Sequence, residues 1–439
     1  MYLINKRSLF SLIPILLLMQ TSVMAQTNDL KNTVEIMAED LEAQVIEWRR
    51  HFHEFPELSN REFETSKKIA SYLEELGLEV QTGIAHTGVV GILETGNPGP
   101  VIGLRADMDA LPVVERVDIP FASKVKTVYE GQDVGVMHAC GHDTHIAMLM
   151  GVATILTEMR DELNGTIKFI FQPAEEGAPQ GEEGGAELMV KEGVLKNPDV
   201  DVIFGQHISS GVEVGKVNYK PEGYMASADI FRIKITGKQT HGSTPWTGID
   251  PIVISSQIIT GLQTIVSRQL PLTKNAAVIT VGKINGGVRE NIISEELVMS
   301  GTMRSLNAEM RTSMHEKIRL TATKIAESAG AHVEVIIEEG PPVTYNDPDL
   351  MEKMLPTLQE TAGNENVNLV NARTGYEDFS YYQKEIPGLM YHIGGKPSTT
   401  EPGNAAPHHT PDFYIDESGM KLGVKMLSNL AIDYMKSSD

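Results

Sequence analysis

The sequence predicts an α/β protein in which a mostly parallel sheet flanked by helices is interrupted by a smaller α+β domain. Short apolar runs without polar alternation are typical of strands that are buried on both faces. Helix-like segments separate these runs, as they do in parallel sheets. A central stretch follows a β-α-β-β-α-β order instead. The length of 439 residues also fits two domains better than one.

The main domain contains four apolar, β-branched runs that we interpret as buried strands, at 101–104, 166–171, 200–204 and 389–393. Helices are predicted at 45–58, at 62–76, where Gly77 follows as a C-cap, and at 145–162. Polar residues come directly after three of the strands, at 105–109, 172–177 and 206–207. Ligands of open α/β sheets bind beyond the carboxyl ends of the strands, so these clusters predict one shared site.

The inserted domain is predicted to be ferredoxin-like. Its strands are expected at 228–236, 276–284, 296–304 and 332–337, and its helices at 251–268 and 308–329. The predicted domains are therefore 26–215 and 339–439 for the main domain and 216–338 for the insertion.

Residues 1–25 have the pattern of a secretory signal peptide. Lys6 and Arg7 precede an apolar run at 9–19, and the small residues at 23–25 offer a cleavage site. A membrane-spanning helix needs about 20 apolar residues, so an uncleaved anchor is the weaker interpretation. We expect an exported protein, periplasmic or secreted, with no membrane attachment after cleavage.

The chain is acidic, with 37 basic and 59 acidic side chains and a formal net charge of −22. Such a surface repels nucleic acids and anionic membranes. Partners of those two classes are therefore not expected.

The only cysteine, Cys140, lies in the stretch His138–His145 together with three histidines. A single thiol cannot form a disulfide within the chain, and metal coordination would protect it in an oxidising compartment. Because Gly141 lets the backbone bend, Cys140 and His142 can reach one metal ion. The alternatives are a cysteine nucleophile with His142 or His138 as its base, and a buried inert cysteine, which the polar surroundings disfavour.

Carboxylates for such a site follow the strand at 166–171, as the pair Glu175-Glu176. Adjacent residues that leave a strand point in opposite directions, so one can bind metal while the other takes a proton from water. Two solvated glutamates are the alternative for an isolated pair, but the position at a strand end favours the functional interpretation.

Five mixed S, N and O donors result when histidines from later in the chain are added: Cys140, His142, Glu176, His207 and one of His408 and His409. A closed structural zinc site has four ligands. Five donors fit two metal ions with positions open for water and substrate. His241, in the insertion, is equally well interpreted as functional or as an ordinary loop histidine.

These motifs together resemble the aminoacylase, hippurate hydrolase and indole-acetyl-amino-acid hydrolase branch of the two-metal exopeptidase superfamily. The resemblance covers nearly the whole chain after the signal segment, through motifs at 49–53, 56–58, 105–112, 138–145, 172–177 and 375–379. It implies a metal-dependent amidohydrolase that cleaves N-acyl amino acids. It also implies a homodimer or dimer of dimers, with the insertion as a lid and dimerisation domain.

The resemblance assigns roles to individual residues. The metal ligands would be Cys140, His142, Glu176, His207 and His409, with the thiolate bridging and His409 preferred over His408 because the family pattern is His-small-Pro-x-Phe. Glu175 would be the catalytic base, and His241 would reach into the partner subunit's active site. Asn291 and Arg304 would hold the substrate carboxylate.

Two departures from the family pattern bear on substrate choice. Asn291-Ile292-Ile293-Ser294 replaces the commoner Asn-Val-Ile-Pro, and the loop after Gly177 is longer than in many relatives. The two divalent ions could be zinc, manganese, cobalt, nickel or iron, because availability often decides which metal fills a site.

Three other functions are compatible with parts of the pattern. A dipeptidase or aminopeptidase on the same scaffold would need a carboxylate for a free amine, which Glu377 or Asp378 could supply. A non-catalytic metal- or ligand-binding protein would not need Glu175. A cysteine hydrolase would resist chelators and be sensitive to thiol alkylation.

Overall fold

The computed structural model describes the backbone of residues 13–401 and 403–437, and the side chains of these residues from 29 onward. The predicted signal segment, 1–25, lies outside the residues whose side chains are described, and the expectation of export stays a prediction. Within the described part of the chain, no helix is both long and apolar enough to cross a membrane.

The helices are, in chain order, α1 (Ile13–Glu54), α2 (Phe63–Glu75), α3 (His142–Glu158), α4 (Gly185–Lys191), α5 (Pro251–Thr264), α6 (Ala308–Ser328), α7 (Pro348–Ala362), α8 (Ser380–Glu385) and α9 (Met420–Lys436). The strands are β1 (Glu79–Ile84), β2 (Gly88–Glu94), β3 (Val101–Asp107), β4 (Lys126–Tyr129), β5 (Gln132–Gly135), β6 (Thr166–Gln172), β7 (Val202–Glu213), β8 (Val217–Tyr219), β9 (Glu222–Met225), β10 (Asp229–Thr236), β11 (Thr240–His241), β12 (Ala277–Gly286), β13 (Ile292–Ile293), β14 (Glu296–Ser305), β15 (His332–Glu339), β16 (Thr344–Asn346), β17 (Val367–Leu369) and β18 (Gly388–Lys396).

The described residues form two compact units. The first contains the residues up to Asn218, Glu352–Asn368 and the residues from Tyr391 on, and the second contains Tyr219–Met351 and Leu369–Met390. The domain boundaries inferred from the sequence, at 216 and 338, stay predictions.

The first unit is built on an eight-stranded sheet of order β1-β2-β6-β3-β7-β18-β8-β17. The central strand β3 is parallel to both β6 and β7, whereas β1, β2 and β8 pair antiparallel. Six consecutive residues of β3 and of β6 are buried, so both faces of the sheet are covered. The predicted fold class, with four buried strands in this sheet, is confirmed.

Helices α1, α3 and α9 pack on one another, and α3 and α9 also contact β7. Helix α3 is buried on all sides from His142 to Leu156, as expected for a central helix that is mostly apolar after its first turn. It begins three residues before the predicted start at 145. The apolar pattern did not show this first turn because it is made of His142, Asp143 and Thr144, all of them polar and all buried.

The second unit has the predicted ferredoxin-like order: β10, α5, β12, β14, α6 and β15. Its four strands form an antiparallel sheet of order β12-β14-β10-β15. Alternate residues of β10 face the core, which α5 and α6 cover. Asp250 and Asn307 cap these two helices by accepting hydrogen bonds from backbone N–H groups of the first turn.

Candidate metal centre

The parallel strands of the first unit bring three polar segments to one edge of the sheet. Strand β3 ends at Asp107, which pairs in register with Gln172 at the end of β6. The sequence placed His207 after its strand, but β7 continues to Glu213, so His207 lies inside it. That placement was wrong because the polar residues from Gln206 on hid the continuation of the strand.

Gly141 joins Cys140 to the start of α3. Its φ of +94° lies in the left-handed region, and a Cβ there would come within 2.5 Å of Ile208 Cγ2, so only glycine fits. This turn brings the ligand atoms of Cys140, His142 and Glu176 within 4.8 Å of one another. Asp143, by contrast, turns away and pairs with Arg49 at 2.7 Å and with His53 at 2.9 Å.

The Glu175-Glu176 pair follows Ala174, whose φ is +51°. The Ala174 N–H donates to Glu62 Oε1 at 3.0 Å, and the Glu176 N–H donates to Asp109 Oδ2 at 3.1 Å. The buried carboxyl groups of Glu62 and Asp109 thus hold the turn that presents the pair. Burial and the nearby Asp109 carboxylate raise the pKa of Glu62 to about 8.

Two groups of side chains of the types that can bind a metal ion share the sulfur of Cys140. One group is Cys140, His207 and His408, and the other is Cys140, His142 and Glu176; within each, the ligand atoms lie within 4.8 Å of one another. Donors that bind one ion at about 2.0–2.3 Å lie about 3–4 Å apart. The shared sulfur is the arrangement that a thiolate bridging two ions requires.

The two adjacent histidines of the last segment point to different partners. His408 Nδ1 lies 3.4 Å from Cys140 Sγ, whereas His409 Nε2 lies 2.9 Å from Glu176 Oε1. His409 has a φ of +63°, and its N–H donates to the Ala139 carbonyl at 2.8 Å. Of the five predicted ligands, four therefore fall in the two groups, and His409 adjoins the second through Glu176.

The orientation of His142 fits metal ligation. Its Nδ1 lies 2.9 Å from the Asp109 carbonyl oxygen, which can only accept, so Nδ1 carries a hydrogen. The buried Nε2 has no hydrogen-bond partner among the described residues. Burial lowers the pKa of His142, but Asp107 and Asp109 outweigh it and raise this pKa to about 10. A cation would replace this second proton and relieve the unpaired nitrogen.

Several residues that contact the predicted metal ligands were not identified from the sequence. Asp107 Oδ1 lies 2.5 Å from His145 Nδ1, and His145 Nε2 accepts the Ile208 N–H at 2.8 Å, next to His207. His392 stacks on His207 with ring centroids 5.5 Å apart. Proximity to the Cys140 motif could have identified His145, but His392 lies in an apolar strand and gives no such signal.

Cys140 does not have the environment of a catalytic nucleophile. Burial, followed by the charges of Glu176 and Glu175, raises the pKa of its thiol well above the ordinary value. A nucleophilic cysteine needs the opposite shift, because the thiolate is the reactive form. The cysteine-hydrolase interpretation is therefore disfavoured.

In the second unit, His241 and Asn291 lie side by side. Strand β11 pairs His241 with Ile292, and the Gly242 N–H donates to the Asn291 carbonyl at 2.8 Å. The exposed His241 accepts the Ser243 N–H at Nδ1, 3.0 Å away, so its neutral ring carries the hydrogen on Nε2. That N–H can donate to a ligand oxygen.

Arg304 is half-buried on β14, and its guanidinium lies 5.5 Å from the ring centroid of Tyr376. Its Nη1 is buried without a hydrogen-bond partner among the described residues. A buried guanidinium nitrogen in this state is suited to a carboxylate ligand.

The family described as peptidase family M20/M25/M40 matches residues 103–433. The chain is 39% identical over 407 residues to thermostable carboxypeptidase 2 of Saccharolobus solfataricus, covering 92% of this chain and 98% of that protein. It is 38% identical over 402 residues to IAA-amino acid hydrolase ILR1-like 2 of Arabidopsis thaliana, covering 90% and 86%.

Among solved structures, the YXEP protein of Bacillus subtilis, described as a dinuclear metal-binding peptidase, superimposes with a TM-score of 0.76. It is 35% identical, and the match covers 91% of this chain and 100% of that one.

Proposed function

The chain belongs to peptidase family M20/M25/M40 and is an enzyme that acts on amide bonds, and from that membership we propose that it hydrolyses N-acyl amino acids to a carboxylic acid and a free amino acid. The observation that carries the proposal is the pair of donor groups sharing the Cys140 sulfur beside Glu175. The name of the IAA-amino acid hydrolase also supports it, since that name describes hydrolysis of an amino acid conjugate.

The residues present suit two divalent ions. Cys140, His142, Glu176, His207 and His409 would hold them, and the mixture of soft and hard donors is compatible with zinc, manganese, cobalt, nickel or iron. When bound, such ions supply a Lewis acid and lower the pKa of water from about 15.7 to about 7.

Glu175 is the proposed proton carrier. It is buried, and its Oε2 lies 3.9 Å from His142 Nε2, so it reaches the centre although it belongs to neither of the two groups that share the sulfur. In the proposed reaction Glu175 takes a proton from the attacking water and returns it to the departing amine. The Nε2–H of His241 would donate to the amide oxygen as negative charge develops on it.

Arg304 is the proposed anchor for the substrate carboxylate. Replacing Arg304 with Gln should raise KM for an N-acyl amino acid about 10- to 100-fold, because a hydrogen bond to a charged group contributes about 1.5–3 kcal/mol. Steady-state kinetics checks this, with the corresponding N-acyl amino acid amide as the second substrate. The amide lacks the charge, so its KM should hardly change. Arg232→Gln on β10, an exposed residue paired with Glu338, is the matched control. An equal rise in KM for acid and amide would contradict the assignment.

We also propose that the enzyme is a homodimer or a dimer of dimers. Strand β12 is an edge of the second unit's sheet, and its Val278 and Ile284 are exposed, as are Ile252 and Val253 of α5. An uncovered edge strand with apolar neighbours is suited to pairing with a second copy.

Hybrid dimers test whether His241 acts across such an interface. His241→Ala and Glu175→Gln should each be inactive alone, and unfolding and refolding them together should restore roughly a quarter of wild-type activity, since one site in each mixed dimer is intact. No recovery, with mixed dimers verified by mass, would show that His241 acts within its own chain.

The direct test of the substrate class is a metal-supplemented screen. N-acyl amino acids and unblocked dipeptides with the same C-terminal residue should be compared at equal concentration. Preference for the acylated series supports the proposal. Preference for free amines would support the dipeptidase or aminopeptidase alternative, for which Glu377 and Asp378 are the candidate carboxylates.

A further inference from the structure

His408 lies at the centre without belonging to the proposed ligand set. Its Nδ1 is 3.4 Å from Cys140 Sγ, and its Nε2 accepts a hydrogen bond from the Ser210 N–H at 3.2 Å. We propose that His408 is a positioning residue that donates its Nδ1–H to the Cys140 sulfur, rather than a metal ligand. The inference rests on the metal centre proposed above and assigns a residue that the ligand set leaves out.

The hydrogen-bond pattern fixes the tautomer of His408. A neutral imidazole has one nitrogen with a hydrogen and one with a lone pair. Because a backbone N–H can only donate, the lone pair of His408 is on Nε2 and the hydrogen is on Nδ1. A nitrogen that carries a hydrogen cannot bind a metal ion, but it can donate to sulfur.

His207, on the other side of the same sulfur, has the opposite pattern. Its Nδ1 lies 2.5 Å from the Ile208 carbonyl oxygen, which can only accept, so Nδ1 carries the hydrogen. Its Nε2 therefore presents a lone pair to Cys140 Sγ, 3.5 Å away. The sulfur thus faces one acceptor nitrogen, which suits a ligand, and one donor nitrogen, which does not.

The surroundings hold the His408 ring in this orientation. Ser210 Oγ donates to the Ala406 carbonyl at 2.8 Å, which ties the segment before His408 to β7. The Phe413 ring lies 4.8 Å from the His408 ring, centroid to centroid. The left-handed backbone of His409 then directs the next side chain to Glu176. The two neighbouring histidines can therefore have different roles.

An N–H group beside a metal-binding sulfur has a defined chemical effect. It stabilises negative charge on the thiolate and withdraws electron density from the sulfur. Loss of such an outer partner typically costs about 10- to 100-fold in metal affinity without removing a ligand.

Cobalt binding to the full chain tests the proposal. His408→Leu removes the donor, His408→Asn keeps an N–H near the Nδ1 position, and His409→Leu removes the proposed ligand. We expect His408→Leu to bind cobalt about 10- to 100-fold more weakly, but to reach the wild-type content at saturation. Its sulfur-to-cobalt charge-transfer band should move to longer wavelength, and His408→Asn should move it back. His409→Leu should lose cobalt content even at saturation.

The opposite pattern would overturn the proposal: His408→Leu losing cobalt content while His409→Leu keeps it, or a charge-transfer band that does not move in His408→Leu.

A measurement without metal provides a second test. In metal-free protein with ¹⁵N-labelled histidine, the His408 signals, assigned by their absence in His408→Leu, should show the hydrogen on Nδ1. A hydrogen on Nε2 would refute the inference. None of these outcomes depends on which amide the enzyme cleaves, so failure of the proposed substrate class is distinguishable from failure of this inference.

Discussion

Replacing Glu175 with Gln is expected to lower kcat/KM by about 10³- to 10⁴-fold, which is the upper range for a general acid–base residue. The amide has nearly the same shape as the carboxylate, but it cannot take a proton from water or return one to the amine. Because Glu175 lies outside the two groups that share the Cys140 sulfur, metal content and thermal unfolding should stay close to wild type.

Steady-state kinetics on the metal-saturated variant, with metal content measured on the same sample, checks this prediction. Glu187→Gln, an exposed residue on α4, is the matched control and should change kcat/KM by less than about threefold, as is usual for a surface substitution. A Glu175→Gln enzyme within tenfold of wild type would show that another group carries the proton.

Replacing Cys140 with Ser should lower the metal content of the enzyme. Activity should fall as a consequence of this loss. A serine hydroxyl is a poor substitute for a thiolate shared by two ions, since it is harder and does not ionise readily. We expect metal affinity to fall by more than about 100-fold, beyond the loss seen for outer partners. The metal-free variant should unfold at nearly the temperature of the metal-free wild type, because the hydroxyl occupies the same buried position.

Thiol alkylation gives an independent check in the wild-type chain, because Cys140 is its only cysteine. A chelator should abolish activity, and the buried thiol should be alkylated faster after metal removal than in the metal-saturated enzyme, in which the ions occupy the sulfur. Activity that survives the chelator but not alkylation would instead support the cysteine-hydrolase alternative. Full metal occupancy in Cys140→Ser would remove Cys140 from the ligand set.

The sequence predicted the architecture because the strongest signals are local. Apolar runs such as 101–104 and 166–171 are buried on both faces of the sheet and allow little ambiguity. The β-α-β-β-α-β order of the insertion follows from alternation along strands such as β10 and from the apolar faces of α5 and α6.

The orientation of the side chains in the candidate metal centre depends on contacts between segments that are distant in the sequence. A single sequence does not show which distant segments are in contact. Whether His408 or His409 faces the sulfur is decided by the left-handed φ of His409 and by the Ser210 N–H, nearly 200 residues earlier in the chain. Similarly, Glu62 supports the turn before Glu175 although it precedes that residue by more than 100 positions. The sequence motifs therefore identify the candidate metal-binding residues, whereas tertiary contacts determine which atoms of these residues face one another.

The proposed metal centre requires that two metal ions share the sulfur of Cys140. X-ray absorption spectroscopy of the zinc-loaded enzyme tests it most directly. We expect a sulfur scatterer at about 2.3 Å from zinc, together with a zinc–zinc vector of about 3.5–4 Å. We also expect the sulfur signal to be lost in Cys140→Ser. A fully loaded, active enzyme whose spectrum contains only nitrogen and oxygen ligands would contradict it.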